Sequence, residues 1–126
     1  MTATIYSYKD LIVWQKSINL VVHIYELTKK FPREEIYGLT SQMRRAAASI
    51  PANIAEGSSR GYLKEYISFL SIAYASGAEL ETFLIIAKKL NYLSTPEQTK
   101  ITEQLNEVMR MLNVLIRRLK DKRSNA

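Results

Sequence analysis

The chain of 126 residues contains no cysteine and a single histidine, His23. The absence of cysteine excludes disulfides, thiolate-bound zinc, iron–sulfur clusters and cysteine nucleophiles. Proline and glycine are also scarce, at three and four residues, so a turn-rich β-sandwich is not expected. The remaining composition, 47% hydrophobic and 24% charged, is that of an ordinary folded protein, and the length suits one domain over residues 1–126.

Long uncharged segments are missing as well. Among the most apolar stretches, the longest without a charge runs from Tyr66 to Ala78, which is 13 residues, whereas a helix that crosses a bilayer needs about 20. The first eleven residues have neither the basic start nor the apolar core of a signal peptide. We therefore expect a cytoplasmic protein without a membrane partner.

Hydrophobic residues recur every three or four positions along four segments, and no window of useful length alternates with period two. Short turns separate these segments. The pattern predicts an all-α protein, an antiparallel up-down-up-down four-helix bundle. We place the helices at about 8–31, 35–59, 62–91 and 96–120, followed by a frayed tail at 121–126; the second helix begins at either Glu35 or Leu39.

Capping residues set the predicted ends of the first and last helices. Ser7 and Asp10 have the spacing of a helix start, and Pro32 cannot continue the first helix. Thr95 is the predicted cap of the last helix, with Gln98 reaching back to it.

Pro51 lies inside the second helix, where a proline leaves the carbonyl of Ala47 without its usual donor. We predict that the helix is kinked near Pro51. Gly77 is a second helix-weakening residue, in the middle of the third helix, and a close backbone contact is the expected compensation.

The net charge of +6 is unevenly distributed. From Arg110 to the C-terminus there are six basic residues and one acid, whereas the rest of the chain has 12 basic and 11 acidic residues. In the predicted topology this segment lies beside the turn between the second and third helices. Such a surface suits phosphate groups, although it could equally serve solubility and offset the helix dipole. The candidate nucleic-acid-binding residues here are Arg60, Lys64, Arg110, Arg117, Arg118, Lys120, Lys122 and Arg123.

Two tyrosines, Tyr62 and Tyr66, are close to these basic residues in the sequence. Tyrosine rings can stack on unpaired bases, but tyrosines at helical spacing more often belong to the core. We therefore leave both out of the candidate set.

Arg44 and Arg45 are adjacent on the second helix, so their side chains point about 100° apart and cannot both join its apolar face. We expect one of them to pair with Glu79, Glu81 or Glu107, and the other to face solvent or a partner chain.

The sequence contains only weak signals for a catalytic or metal site. His23 and Glu26 have metal-like spacing, but a metal site in a bundle needs several further inward carboxylates. Glu79 and Glu81 lie on different helix faces, and the chain has neither a glycine-rich phosphate loop nor a nucleophile elbow. We expect no enzymatic activity, no metal and no cofactor.

Four segments of the chain resemble a bacterial family of four-helix bundles, first noticed as proteins encoded in intervening sequences of large-subunit ribosomal RNA genes. The longest is LTSQMRRAAASIPANIAEGSSR at 39–60, and the others are LIVWQK at 11–16, ELET at 79–82 and AKKL at 87–90. The family pattern leads us to expect valine where this chain has Ala48.

The resemblance implies a four-helix protomer, a ring-shaped homo-oligomer (a pentamer) and no enzymatic activity. Arg44, Arg45 and Arg60 match the family motif, so Arg44 and Arg45 join the candidate nucleic-acid-binding residues, which then number ten. Relatives include accessory proteins of diversity-generating retroelements, whose basic surface is thought to engage nucleic acid and a reverse transcriptase. Assembly also fits the sequence itself, because the first and third helices have more apolar surface than one core can cover.

We therefore expect a basic scaffold that binds RNA, DNA or a nucleic-acid/protein complex. The alternative is a protein–protein interaction module, such as a reverse-transcriptase accessory subunit, in which the charge serves mainly solubility.

Overall fold

The computed structural model describes residues 7–125 and contains four α-helices. We number them α1 (Ile12–Thr28), α2 (Leu39–Ser59), α3 (Leu63–Lys89) and α4 (Thr95–Ser124). Short 3-10 helices at Tyr8–Asp10 and Arg33–Glu35 precede α1 and α2. Residues 7–125 contain no β-strand, so the predicted all-α class is confirmed.

Each helix packs against two others, as in a bundle of four. α1 contacts α2 and α4, and α3 contacts the same two helices; within the described residues no Cα atoms of the diagonal pairs approach within 8 Å. α1 and α4 run antiparallel, since Lys16 pairs with Glu107 and His23 contacts Gln104 further along. The predicted bundle is therefore confirmed.

Aliphatic side chains from all four helices form one core. The largest fully buried ones, each less than 2% exposed, are Leu20, Ile24, Met43, Ile50, Ile54, Leu70, Leu80, Leu84, Ile101, Leu105, Leu112 and Val108. At roughly 25 cal/mol per Å² of buried apolar surface, such side chains are the main source of stability.

Two small residues set how closely α3 approaches its neighbours. A Cβ atom on Gly57 of α2 would lie 2.7 Å from the Cβ atom of Phe69, and one on Gly77 of α3 would lie 3.0 Å from the side chain of Met109. The contact predicted for Gly77 is therefore close, but it is made with a flexible side chain and not with a backbone.

The first helix is shorter than predicted at both ends. Ser7 is a cap, as predicted, and forms a capping box with Asp10, but the box starts the 3-10 turn, and the extended backbone of Leu11 separates that turn from α1. α1 ends at Thr28 and not at Phe31, because the amides of Lys30 and Phe31 bond to carbonyls three residues back. This tightening turns the chain ahead of Pro32 and buries Phe31.

α2 begins at Leu39, the later of the two predicted starts. Glu35 lies in the preceding 3-10 turn, where its carboxylate accepts a hydrogen bond from the Leu39 amide. The helix continues through Pro51, which is buried, to Ser59. The kink near Pro51 stays a prediction.

α4 differs from its predicted bounds at both ends. Its N-cap is Ser94 and not Thr95, and Glu97, not Gln98, completes the capping box. The helix extends to Ser124, so the predicted tail 121–126 is helical over most of its length; Ala126 lies outside the described residues. Lys122 and Arg123 in the last turn favour this extension because cations stabilise a helix C-terminus.

α3 keeps much of its apolar surface outside the core. An 18-residue window of this helix has a mean hydropathy of 1.4, and only 28% of that window is buried. By length and composition alone such a helix could cross a membrane, but here it packs on α2 and α4. Its outward apolar side chains are Ile72, Tyr74, Ile85 and Ile86, each at least 40% exposed.

Candidate nucleic-acid interface

The C-terminal half of α4 lies beside the start of α1 and the start of α3. Arg110 and Arg118 line a cavity together with Leu11 and Ile12, which places them next to the beginning of α1. Gly77 of α3 faces Met109 of α4, so the antiparallel register brings the first turn of α3 level with the last turn of α4. We call this part of the molecule, residues 7–13, 57–66 and 110–124, the basic end.

The basic side chains of this half of α4 are all exposed. Within residues 7–125, none of them forms an ion pair with a carboxylate. The set comprises Arg110, Arg117, Arg118, Lys120, Lys122 and Arg123. Their positive charge is therefore available to an external anion.

These cations surround the helix and do not form a flat face. At about 100° per residue, Arg118 and Lys120 point about 200° apart, and Arg117 points to the side between them that faces away from the core. An anionic partner that contacts all of them has to curve around the end of α4.

The α2–α3 turn adds two further cations to the basic end. Arg60 donates to Glu56 at 3.0 Å, and its guanidinium lies 5.0 Å from the ring centre of Phe69. Lys64 is exposed and has no ion-pair partner within the described residues. The charge of Arg60 is partly neutralised by Glu56, so Arg60 is less available to an external anion than Lys64.

The structure also separates the two tyrosines of this region. Tyr62 is 70% exposed, whereas Tyr66 packs against the core beside Gly57. Burial raises the pKa of the Tyr66 hydroxyl, and a hydrogen bond with Ser58 acts in the opposite direction. Tyr62 is therefore the tyrosine of the two whose ring is accessible to a base.

An apolar cavity of about 580 Å³ opens next to the cations, between the start of α1 and the end of α4. Its walls include Ile12 and Val114, which are 58% and 41% exposed. Arg110, Arg118 and Asp10 line it as well. The basic end thus combines charge with uncovered apolar surface.

Arg44 and Arg45 are not part of the basic end. They lie in the first half of α2, about 24 Å from Arg60 along the helix axis at the usual rise per residue. Arg45 donates to Glu79 at 3.0 Å, which confirms the predicted ion pair. The ten candidate residues therefore form two separate groups.

The second arginine of this pair is held by groups that sequence reasoning did not find. Nε of Arg44 donates to Oγ1 of Thr28 at 2.9 Å, and its guanidinium lies 4.6 Å from the ring centre of Tyr25. Thr28 and Tyr25 both lie at the end of α1. Their three-residue spacing places them on one helix face, but nothing in the sequence shows that Arg44 is opposite.

The single histidine takes part in a contact between helices. Nδ1 of His23 lies 2.5 Å from Oε1 of Gln104, which joins α1 to α4. Within residues 7–125 no three His, Cys, Asp or Glu residues cluster closely enough to hold a metal ion.

Two carboxylates in the first half of α4 have a lowered pKa. Hydrogen bonds from Lys30 and from the Ser94 amide lower the pKa of Glu97 to about 2. The Lys16 ammonium, 2.5 Å from Glu107, lowers the pKa of that carboxylate as well. Two of the three acids in the first half of α4, Glu97 and Glu107, are thus paired with lysines of α1 and of the turn after it, whereas Glu103 has no ion pair within residues 7–125.

Comparison with known proteins identifies relatives of this fold. Residues 9–114 match the family model described as 23S rRNA-intervening sequence protein. A crystal structure of a protein of unknown function from the S23 ribosomal protein family of Bacteroides thetaiotaomicron superposes with a TM-score of 0.79 at 26% identity. The alignment covers 84% of this chain and 96% of that one. No curated protein matches the chain. Because the family model spans most of its length, the chain belongs to the 23S rRNA-intervening sequence protein family.

Proposed function

We propose that this protein is a non-enzymatic, homo-oligomeric basic scaffold that binds RNA, or a complex of nucleic acid and protein, through the basic end. The observation that carries the proposal is the set of six exposed cations on α4 without ion-pair partners in residues 7–125. A cation that already pairs with a carboxylate must break that pair to bind phosphate. The six cations of α4 have no such pair to break within residues 7–125.

Self-association accounts for the apolar surface that one protomer leaves uncovered. α3 exposes Ile72 and Ile85, and α1 exposes Ile12 and Val22, each by 47–58% of the residue. An open groove of about 500 Å³ between α1 and α2 is lined by apolar side chains, including Trp14 and the small Ala48. Symmetric packing of copies would cover such faces, and the family resemblance favours a pentamer.

RNA binding is tested by fluorescence anisotropy with a structured RNA at two salt concentrations. If about four phosphates are neutralised, a fourfold rise in salt weakens binding on the order of a hundredfold. Charge reversal of Arg117, Arg118, Lys120 and Lys122 to Glu should abolish most of the affinity, while the circular dichroism spectrum stays unchanged.

A charge-matched pair of variants separates a local surface from net charge. Arg117→Glu with Lys120→Glu and Lys89→Glu with Lys100→Glu change the net charge equally, and all four residues are exposed. Only the first pair should weaken RNA binding strongly. Equal losses from both pairs, or binding that does not respond to salt, would contradict the proposal.

Oligomeric state is measured independently by light scattering at two protein concentrations. We expect a mass several times 14.5 kDa, and an Ile72→Glu, Ile85→Glu variant should shift it toward one protomer. A monomer at both concentrations would remove the assembly part of the proposal. Sedimentation of the monomer with lipid vesicles would instead assign the apolar face of α3 to a membrane.

A protein–protein interaction module is the second candidate, and the open apolar cavity beside Arg110 and Arg118 favours it. A reverse transcriptase is one partner that the family resemblance suggests. Binding of one protein in fixed stoichiometry after nuclease treatment, without any affinity for RNA, would favour this candidate over the first.

A further inference from the structure

The connection between α1 and α2 forms a second positively charged site, at the opposite end of the bundle from the basic end. An open cavity of about 300 Å³ lies between the end of α1 and the start of α2. Three basic residues line it, Lys29, Arg33 and Arg44, and no carboxylate does. We propose that this cavity binds a phosphate monoester, with the guanidinium of Arg44 as its main anchor.

The position of Arg44 is fixed before any ligand binds. Its Nε donates to Oγ1 of Thr28, which is buried and in turn donates to the carbonyl oxygen of Ile24 at 2.8 Å. The ring of Tyr25 supports the guanidinium at 4.6 Å. Within residues 7–125 neither terminal nitrogen of Arg44 donates to another group, so both remain for a ligand. A guanidinium held in this way can donate two parallel hydrogen bonds to one oxyanion.

Neighbouring charges leave this cavity positive. Lys30 is paired with Glu97, and Arg45 with Glu79, so neither competes for the ligand. The carboxylate of Glu35, on the adjacent 3-10 turn, accepts hydrogen bonds from the Leu39 amide and from the Tyr92 hydroxyl.

Three remaining charged groups face solvent near the cavity. Lys29 and Arg33 are exposed and form no ion pair within the described residues, whereas Glu34 is exposed but does not line the cavity. Two free cations beside a fixed guanidinium favour a dianion over a singly charged carboxylate, because each cation adds to the attraction.

The other walls and the volume define the rest of the ligand. Phe31, Pro32 and Ile36 provide an apolar surface next to the cations. A volume of 300 Å³ is at the lower limit for small-molecule sites, which suits one phosphate group carrying a single ring or a short apolar chain. The shared chemistry fits a free small phosphate ester and the 5′-phosphate of a nucleotide equally well.

Isothermal titration calorimetry with phenyl phosphate at low salt tests the site. Arg44→Gln should weaken binding about tenfold to a hundredfold, as expected for the loss of hydrogen bonds to a charged group. Arg44→Lys keeps the charge but loses the planar fork, and should fall between the wild type and Arg44→Gln. The double variant Lys29→Gln, Arg33→Gln changes only exposed side chains, so it remains folded and should also bind more weakly.

Lys30→Gln is the matched control, because it removes the same charge from the residue next to Lys29 while the cavity lining stays intact. It should change the affinity less than about twofold, since its ammonium is already paired. No measurable heat with phenyl phosphate, or a loss of affinity from Lys30→Gln as large as the loss from Arg44→Gln, would overturn the proposal.

Two further measurements identify the source of the phosphate and separate this site from the basic end. Tighter binding of a nucleoside 5′-monophosphate than of phenyl phosphate would assign the site to nucleotides, and the reverse order to small esters. The variant with Arg117, Arg118, Lys120 and Lys122 changed to Glu should still bind phenyl phosphate. Loss of binding in that variant would show that the anion binds the basic end and not this cavity.

Discussion

At the end of the bundle that contains the α1–α2 and α3–α4 connections, residues 28–45 and 87–100, polar side chains join separate elements, although Lys29 and Arg33 have no carboxylate partner within the described residues. Glu97 completes the capping box of α4 and pairs with Lys30, and Glu35 accepts a hydrogen bond from the Tyr92 hydroxyl. At the basic end most cations have no such partner, and helices are joined by close packing of Gly57 against Phe69. Polar pairs thus stabilise one end of the bundle, whereas close packing stabilises the basic end. The charges of the basic end are therefore not required for folding.

Gly57→Ala should have the largest effect on stability, about 2 kcal/mol of destabilisation. Its new methyl group would lie 2.7 Å from Cβ of Phe69, an atom too close to the backbone to move away. The gain in helix propensity, roughly 0.5–1 kcal/mol, does not offset this overlap. Urea unfolding at fixed protein concentration measures the change.

Gly77→Ala serves as the control for Gly57→Ala, since its methyl group meets only the flexible side chain of Met109. We expect a change within about 0.5 kcal/mol, because helix propensity and the small overlap offset each other. If Gly57→Ala and Gly77→Ala lowered the unfolding free energy equally, the contact of Gly57 with Phe69 would contribute no more to stability than the contact of Gly77 with Met109.

Glu97→Gln should destabilise the protein by about 1 kcal/mol at neutral pH. The variant loses an ion pair with Lys30 and a negative charge at the start of α4, each of which contributes less than about 1 kcal/mol on a surface. Glu103→Gln, also on α4 but exposed and without an ion pair in residues 7–125, should change stability by less than about 0.5 kcal/mol.

The effect of Glu97→Gln should also depend on pH. The pKa of Glu97 is about 2 in the folded protein against an ordinary value of 4.5, so its charge stabilises the fold fully above pH 4.5. This contribution is lost as the pH falls from 4.5 to 2, and the gap between wild type and variant should close over the same range. A gap that stays constant down to pH 2 would exclude the ion pair as its cause.

Arg117→Gln together with Lys120→Gln should have the smallest effect, a change in unfolding free energy of less than about 0.5 kcal/mol. Both side chains are exposed and unpaired in the described part of the chain, so their removal reduces repulsion among like charges. Thermal unfolding at low and moderate salt measures this. A large loss of stability would mean that these residues have structural partners.

The number of helices and the bundle could be predicted from the sequence, because hydrophobic periodicity and capping are local signals. For the arginine pair the sequence predicted only that Arg44 or Arg45 would contact one of three glutamates, and the structure shows that it is Arg45 with Glu79. Helix ends were less predictable. The amides that follow α1 form 3-10 hydrogen bonds ahead of Pro32. The N-cap of α4 is Ser94, although the neighbouring Thr95 has a similar capping ability.

Contacts between helices were the least predictable part of the candidate sites. The support of Arg44 by Thr28 and Tyr25 depends on the rotation and register of α1 against α2, which periodicity along one helix does not determine. The separation of Arg44 and Arg45 from the cations of α4, in contrast, follows from their positions along the helices and from the predicted up-down topology. Only the structure shows which side chains hold each of the two arginines.

The fully buried residues of α4 end at Leu112, yet the helix continues for three more turns to Ser124. Beyond Leu112 only half-buried side chains, such as Leu115 and Leu119, contact the core. Substitutions at the outward-facing positions of these turns cause almost no steric clash. Homologous chains can thus diverge in electrostatic potential at this tip while the rest of the scaffold stays the same.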